Sequence, residues 1–221
     1  MPITIYGSPL SPSTSLVELV LKELGVEYTS VTLNILTGEN RTEKWKEVAP
    51  FGQVPWIDDD GLIIYEARAI SRYLATKYKG QGTQLLPDTS TPEGLKTLAK
   101  FEQAASIEQS HFDPPAFAAI YEQIFKPMKK LTPDPAVTQE KLKVLDGKLA
   151  IYDFILGKQK YLAGEDVTLA DLFHIPYGWQ LDLAGFDSMS KHPNVARWWK
   201  DISSRQTWKD LNVGIIDLAT L

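Results

Sequence analysis

The chain has 221 residues, 43% hydrophobic and 23% charged, with a formal net charge of −5. That acidity argues against a nucleic-acid surface or an anionic membrane, and no apolar run approaches the roughly 20 residues that a membrane span needs. Cysteine is absent, which excludes disulfides, thiolate-bound zinc and a cysteine nucleophile. The histidines, His111, His174 and His192, lie too far apart in sequence for an HExxH-type metal site.

Ile3 to Tyr6 reads as a short strand rather than the basic-then-apolar start of a signal peptide, so a cytoplasmic protein is expected. The turn Gly7-Ser8-Pro9-Leu10-Ser11-Pro12 then leads into a helix. Pro12 suits its first position and Ser11 its N-cap. Leu16, Val17, Leu19, Val20, Leu21 and Leu24 make this helix apolar on most faces, so it should be buried, and Gly25 ends it. Glu27 to Leu33 predicts a second strand, parallel to the first through a right-handed crossover. A polar loop, Thr37 to Arg41, precedes a short helix around Thr42 to Val48.

The stretch Ala49 to Ala69, APFGQVPWIDDDGLIIYEARA, organises the first half of the chain. Pro55 cannot donate to a central strand, so it belongs at a strand start, an edge or a cis turn. Val54 to Ile57 and Leu62 to Tyr65 flank Asp58-Asp59-Asp60-Gly61, a hairpin with an Asp-Gly tip. Apolar positions 67, 70, 73, 74 and 78 then predict a helix, whose unpaired first amides favour an anion. The resulting βαβαββα order is a thioredoxin-like arrangement.

Gly80 to Pro92 is turn-rich and marks a boundary. The expected domains are 1–80, a linker 81–92, and an all-helical domain 93–221, giving an α/β plus all-α architecture. Within the second domain, a helix over Glu93 to Phe112 is expected to break at Asp113-Pro114-Pro115, with Ala116 to Lys130 continuing. Leu142, Leu145, Leu149, Tyr152 and Leu156 form one apolar stripe. Thr168 with Asp171 predicts a capping box opening a helix to about Leu183. Helices over Pro193 to Ser203 and Gln206 to Leu211 close the sequence.

The segment PFGQVP, followed by Glu66 and Arg68 at this spacing, resembles the glutathione transferase superfamily, and within it the Phi class of plants and fungi. EQSHFDPP (Glu108 to Pro115), VTLADLFHIP (Val167 to Pro176) and the segment Asn194 to Trp199 extend the resemblance over nearly the whole chain. It implies a homodimeric detoxification enzyme conjugating glutathione to hydrophobic electrophiles, with glutathione as co-substrate and no other cofactor. Hydroperoxide reduction is left open as an accompanying activity. The alternative is a non-catalytic carrier of glutathione or hydrophobic ligands.

The resemblance also assigns residues. Pattern alone favours Ser11 as a helix cap; the family's catalytic serine falls on this position and reverses that preference, making its hydroxyl a donor to the glutathione thiolate. Ser13, Thr14 and Ser15 are the neighbours a slip of register would substitute. Gln53 would contact the peptide, the Val54 backbone would pair with it like an added strand, and Glu66 would bind the γ-glutamyl ammonium. Two positions depart from the family: Ala67 stands for a serine near the γ-glutamyl carboxylate, and Asn40 for a histidine, while Arg41 keeps a charge for the glycyl carboxylate. Leu10 and Pro12, with Phe112, Phe117 and Ile120, are the expected lining of an apolar pocket for the electrophile. His174, Trp198, Trp199 and Trp208 read as packing residues. Phe51 either inserts between subunits or fills its own turn.

Overall fold

The computed structural model describes residues 2–211; the part of the expected helical domain beyond residue 211 lies outside them. The chain separates into two compact units, Met1–Gln84 together with the segment from Gln206, and Leu85–Arg205.

The first unit is built on four strands, β1 (Ile3–Gly7), β2 (Tyr28–Thr32), β3 (Trp56–Asp59) and β4 (Leu62–Tyr65), in the order β2-β1-β3-β4. β1 and β2 run parallel, as the crossover through helix α1 (Pro12–Glu23) requires, and β3 is antiparallel to both β1 and β4. The hairpin turns on Asp60 and Gly61, both at positive φ (54° and 89°), which is the twist a two-residue link between right-handed strands demands. Val54–Pro55 is cis and stands immediately before β3, so the missing proline N–H costs no ladder bond. A short helix α2 (Glu43–Lys46) brings Trp45 to within 5.5 Å of Trp56, whose ring stacks on Tyr6 at 3.7 Å. Helix α3 (Ala67–Lys77) packs against α1, with Ile70 and Leu74 fully buried beside the enclosed Leu16 to Leu21 run.

In the second unit the expected break at Asp113-Pro114-Pro115 is absent. Helix α4 (Pro92–Ile107) passes through a wide π turn at Glu108–Phe112 into α5 (Asp113–Ile120), and through another at Tyr121–Phe125 into α6 (Lys126–Met128). The Asp113 N–H reaches back to the Glu108 carbonyl, and the Lys126 N–H to that of Tyr121. Each wide turn stands just before proline, at Pro114 and at Pro127, and restarts the helix so that proline falls in a first turn, where an N–H is not needed. Helix α7 (Pro135–Leu156) packs on α5 and carries the predicted stripe, of which Leu145, Leu149, Tyr152 and Leu156 are buried.

The capping box at Thr168 and Asp171 is present and opens α8 (Leu169–Leu172). That helix stops, and α9 (Ile175–Leu183) starts anew instead of continuing to Leu183 as expected. Pro176 cannot serve the Leu172 carbonyl four residues back, and the chain turns at Phe173 and His174. Asp171 accepts four bonds, from the amides of Leu162 and Thr168, the Thr168 hydroxyl and the indole of Trp198 on α10 (Pro193–Ser203). Burial pushes its carboxyl up and these donors oppose it. His174 is fully buried, with Nδ1 at 2.8 Å from the Ala170 carbonyl and Nε2 at 3.1 Å from the Tyr152 hydroxyl, a satisfied core residue. Trp198, Trp199 and Trp208 are packing residues as well.

The last described helix, α11 (Gln206–Lys209), belongs with the first unit rather than with the helical domain of the sequence reading. Thr207 donates to the Glu23 carboxylate at the end of α1, which also accepts from the Thr83 hydroxyl at 2.6 Å, and Trp208 is buried.

Candidate active site

The end of β1 meets the start of α1 so closely that a side chain at Gly7 would collide with that of Thr14. Ser11 is the N-cap: the Thr14 N–H donates to its Oγ at 3.3 Å, and the Ser15 N–H donates to its carbonyl at 3.1 Å. A cap uses the hydroxyl oxygen as acceptor and leaves the O–H proton free to donate. Among the described residues that proton has no acceptor. Ser11 is 8% exposed.

Beside it, a pocket of about 40 Å³ lies within the first unit, where the cis Val54–Pro55 turn faces the start of α3. Ser13, Gln53, Val54, Glu66 and Ala67 line it, with Phe51 and Tyr65 on its walls. The structure thus brings together Gln53, Val54, Glu66 and Ala67 from the sequence reading. It also adds Ser13, while Ser11 itself is outside the lining. The sequence signal for Ser13 was its place in the first turn of α1, two residues past the cap.

The electrostatics of this pocket come from backbone as much as from side chains. The first turns of α1 and α3 both reach it, each carrying unpaired amides and a partial positive charge. Glu66 supplies the opposite sign. Its side chain makes no capping bond to its own helix, and its backbone sits at φ 72°. A non-glycine residue held there costs of order 1–3 kcal/mol and marks a conformation imposed by its surroundings. Among the described residues the Val54 N–H and carbonyl carry no hydrogen bond, so this segment offers one free strand edge. Donors on one wall, a carboxylate on another and a free peptide edge between them match an α-amino-acid head group joined to an extended peptide.

Two family models match the chain: the glutathione S-transferase N-terminal domain over residues 1–76 and the C-terminal domain over residues 116–206. Glutathione S-transferase PM239X14 of Arabidopsis thaliana is 42% identical over 89% of each chain. The chain belongs to the glutathione S-transferase family. Among solved structures, glutathione transferase F7 from Populus trichocarpa has a TM-score of 0.88 at 32% identity, covering 94% of this chain and 96% of its own. Glutathione S-transferase I from maize, in complex with an atrazine glutathione conjugate, has a TM-score of 0.82 at 30% identity and covers 95% of each chain. The Phi-class resemblance and the two-part fold read from the sequence stand with these relatives.

In this transferase two groups of predicted residues sit differently from expectation. Asn40 is buried and outside the pocket lining; its Nδ2 donates to the Gly52 carbonyl at 2.6 Å, and its Oδ1 has no partner among the described residues. It braces the turn before Gln53 and Val54 instead of facing the pocket. Arg41, next to it, is exposed and lays its stem against Gly52.

Of the apolar set, Phe112 and Ile120 are fully enclosed, Phe112 with its ring 4.6 Å from His174, so neither presents a surface. Apolar character alone does not tell which face of a helix turns inward. Phe117 is 41% exposed and gathers Tyr121, Phe125 and Tyr177 at ring distances of 5.8, 6.4 and 6.0 Å. The spacing 117, 121, 125 was a helical-face signal that the sequence reading passed over. Leu10 and Pro12 are half-buried. Phe51 is 72% exposed, with Tyr65 edge-on at 6.3 Å, so its ring does not simply fill its own turn.

Proposed function

We propose that this transferase binds glutathione in the first unit and adds its sulfur to hydrophobic electrophiles. The observation that carries the reading is the meeting of two helix starts, the Glu66 carboxylate and the unpaired Val54 peptide at one pocket. In this reading the γ-glutamyl carboxylate takes the first amides of α3, at Ala67, and the ammonium takes Glu66. The cysteinyl peptide pairs with Val54 and is contacted by the Gln53 side chain, and Arg41 meets the glycyl carboxylate. Asn40 acts on that ligand through Gly52 only.

The chemical step is then short. The glutathione thiol loses its proton to solvent, and the thiolate is held by the Ser11 O–H together with the start of α1. A sulfur lone pair forms a C–S bond at the electrophilic carbon, and the pair of the bond that breaks leaves with the departing group or moves into the acceptor. The free Ser11 proton supports this role, since the cap uses only the oxygen. The aromatic group of exposed Phe117 with half-buried Tyr121, Phe125 and Tyr177 supports an apolar, flat second substrate. The atrazine conjugate in the maize relative is a ligand of that chemical kind.

The exposed Phe51 supports pairing of two copies through this turn. Glutathione titration by calorimetry, with a panel of aryl halide and enone electrophiles assayed alongside, tests the function. Binding with turnover on at least one class is expected. Binding without turnover on any class makes the protein a carrier, and no binding removes the reading altogether.

A further inference from the structure

We propose that Ser13 is a glutathione-binding residue whose hydroxyl donates a hydrogen bond to the γ-glutamyl carboxylate. The inference rests on the glutathione reading above and goes beyond it by naming a contact.

Ser13 lines the same pocket as Glu66 and Ala67, and it supplies the one aliphatic hydroxyl of that lining. The remaining lining positions offer an amide side chain at Gln53, a phenol at Tyr65, a carboxylate at Glu66, and otherwise only apolar side chains. An amino-acid head group brings a carboxylate with four lone-pair sites into a space of about 40 Å³. At the start of α3 the residue is Ala67, which offers its N–H but no side-chain donor. Glu66 repels the carboxylate and must instead take the ammonium. With Gln53 given to the peptide, the donor missing from position 67 is assigned to Ser13, the hydroxyl that the first turn of α1 places in the same lining.

Ser13 is also unoccupied by other duties. Ser11, Thr14 and Ser15 are all engaged in the cap and the turn, through Thr14 N–H to Ser11 Oγ, Ser8 N–H to Thr14 Oγ1 and Ser15 O–H to the Ser11 carbonyl. Among the described residues neither the N–H nor the hydroxyl of Ser13 has a hydrogen-bond partner, and the residue is half-exposed. Of the four hydroxyls clustered at this helix start, only that of Ser15 donates within the described residues; Ser11, Ser13 and Thr14 keep their protons, and of these only Ser13 lines the pocket. The two serines then divide the ligand between them, Ser11 acting on the sulfur and Ser13 on the far carboxylate.

The test is Ser13→Ala, a substitution that favours the helix and keeps the cap. Calorimetry would compare glutathione with γ-aminobutyryl-cysteinyl-glycine, which is glutathione without its α-carboxylate. A hydrogen bond to a charged group corresponds to about a ten- to hundredfold change in affinity. Ser13→Ala is expected to weaken glutathione by that factor, leave the decarboxylated peptide unchanged, and leave the titration of the bound thiol where it is in the parent. Equal weakening of both peptides, or none for glutathione, overturns the assignment while the function stands. A parent protein that binds no glutathione overturns both.

Discussion

The Thr14 amide donates to Ser11 Oγ at 3.3 Å, so the residue proposed to hold the thiolate is also the cap of the helix that positions it. The two roles separate by experiment. Loss of the cap in Ser11→Ala costs about 1 kcal/mol, or roughly 2–4 °C in Tm for a chain of this size. Loss of the O–H donor acts only on the ionised thiol. A charge-assisted bond of about 1.5–3 kcal/mol corresponds to a rise of about one to two in the bound thiol's pKa. Conjugation at neutral pH should fall about tenfold or more and recover as the assay pH is raised. Thiolate absorbance of bound glutathione against pH checks this; an unmoved titration with a lowered Tm leaves Ser11 as a cap alone.

Ala67→Ser should tighten glutathione binding by up to about tenfold, since one added hydrogen bond contributes about 0.5–1.5 kcal/mol. In the Ser13→Ala background the gain should be larger, because the carboxylate then lacks a side-chain donor. Calorimetry on the single and double variants measures both. Weaker binding in either background would mean that position 67 does not face the γ-glutamyl group.

Asn40→Leu keeps the volume near Gly52 but withdraws the donor from a buried carbonyl. The loss should cost about 1–3 kcal/mol of stability. Because the bond braces the turn before Gln53 and Val54, the KM for glutathione should rise while kcat is largely kept. Steady-state kinetics at saturating electrophile separates the two, and a lowered Tm with an unchanged KM would reduce Asn40 to a structural part.

Phe51→Ser should shift the protein from dimer toward monomer. The ring is 72% exposed, with Tyr65 edge-on at 6.3 Å, so little of its apolar surface is covered within the chain. Sedimentation velocity at micromolar concentration compares the two proteins. A monomeric parent sinks the idea directly.

Asp59 ties the sheet to α3, accepting from the Tyr73 hydroxyl at 2.5 Å and from the Lys77 ammonium. Burial works to raise its carboxyl, but the bonds from Lys77 and Tyr73 outweigh it and hold the group below the usual carboxylate range. A depressed carboxylate contributes stability that is complete above its unfolded pKa, about 3.9, and is lost as pH falls through the lower folded value. The stability gap between the parent and Asp59→Asn should therefore be flat near neutrality and close below about pH 4. Urea unfolding of both proteins at pH 7 and pH 3 reads it; a gap that widens in acid would reverse the sign of the argument.

What the sequence determined by itself are the features written within one turn of chain. Asp60-Gly61 made the hairpin, Ser11-Pro12 the start of α1, and Thr168 with Asp171 the start of α8, because caps and tight turns are satisfied by residues two to four positions away. The pocket from Gln53 to Ala67 was legible for the same reason: one short hairpin separates its two walls. Tertiary structure alone decided which apolar residues of the long helix turn inward, enclosing Phe112 and Ile120 and leaving Phe117 at the surface. It decided that Asn40 donates to the Gly52 carbonyl and stays out of the pocket lining, and that Ser13 rather than Ser11 lines the pocket. It also returned Gln206–Lys209 to the first unit, through a bond between Thr207 and Glu23, 184 positions apart. Such choices follow from which surfaces compete for burial and which buried donors still need acceptors, and residues distant in sequence settle both.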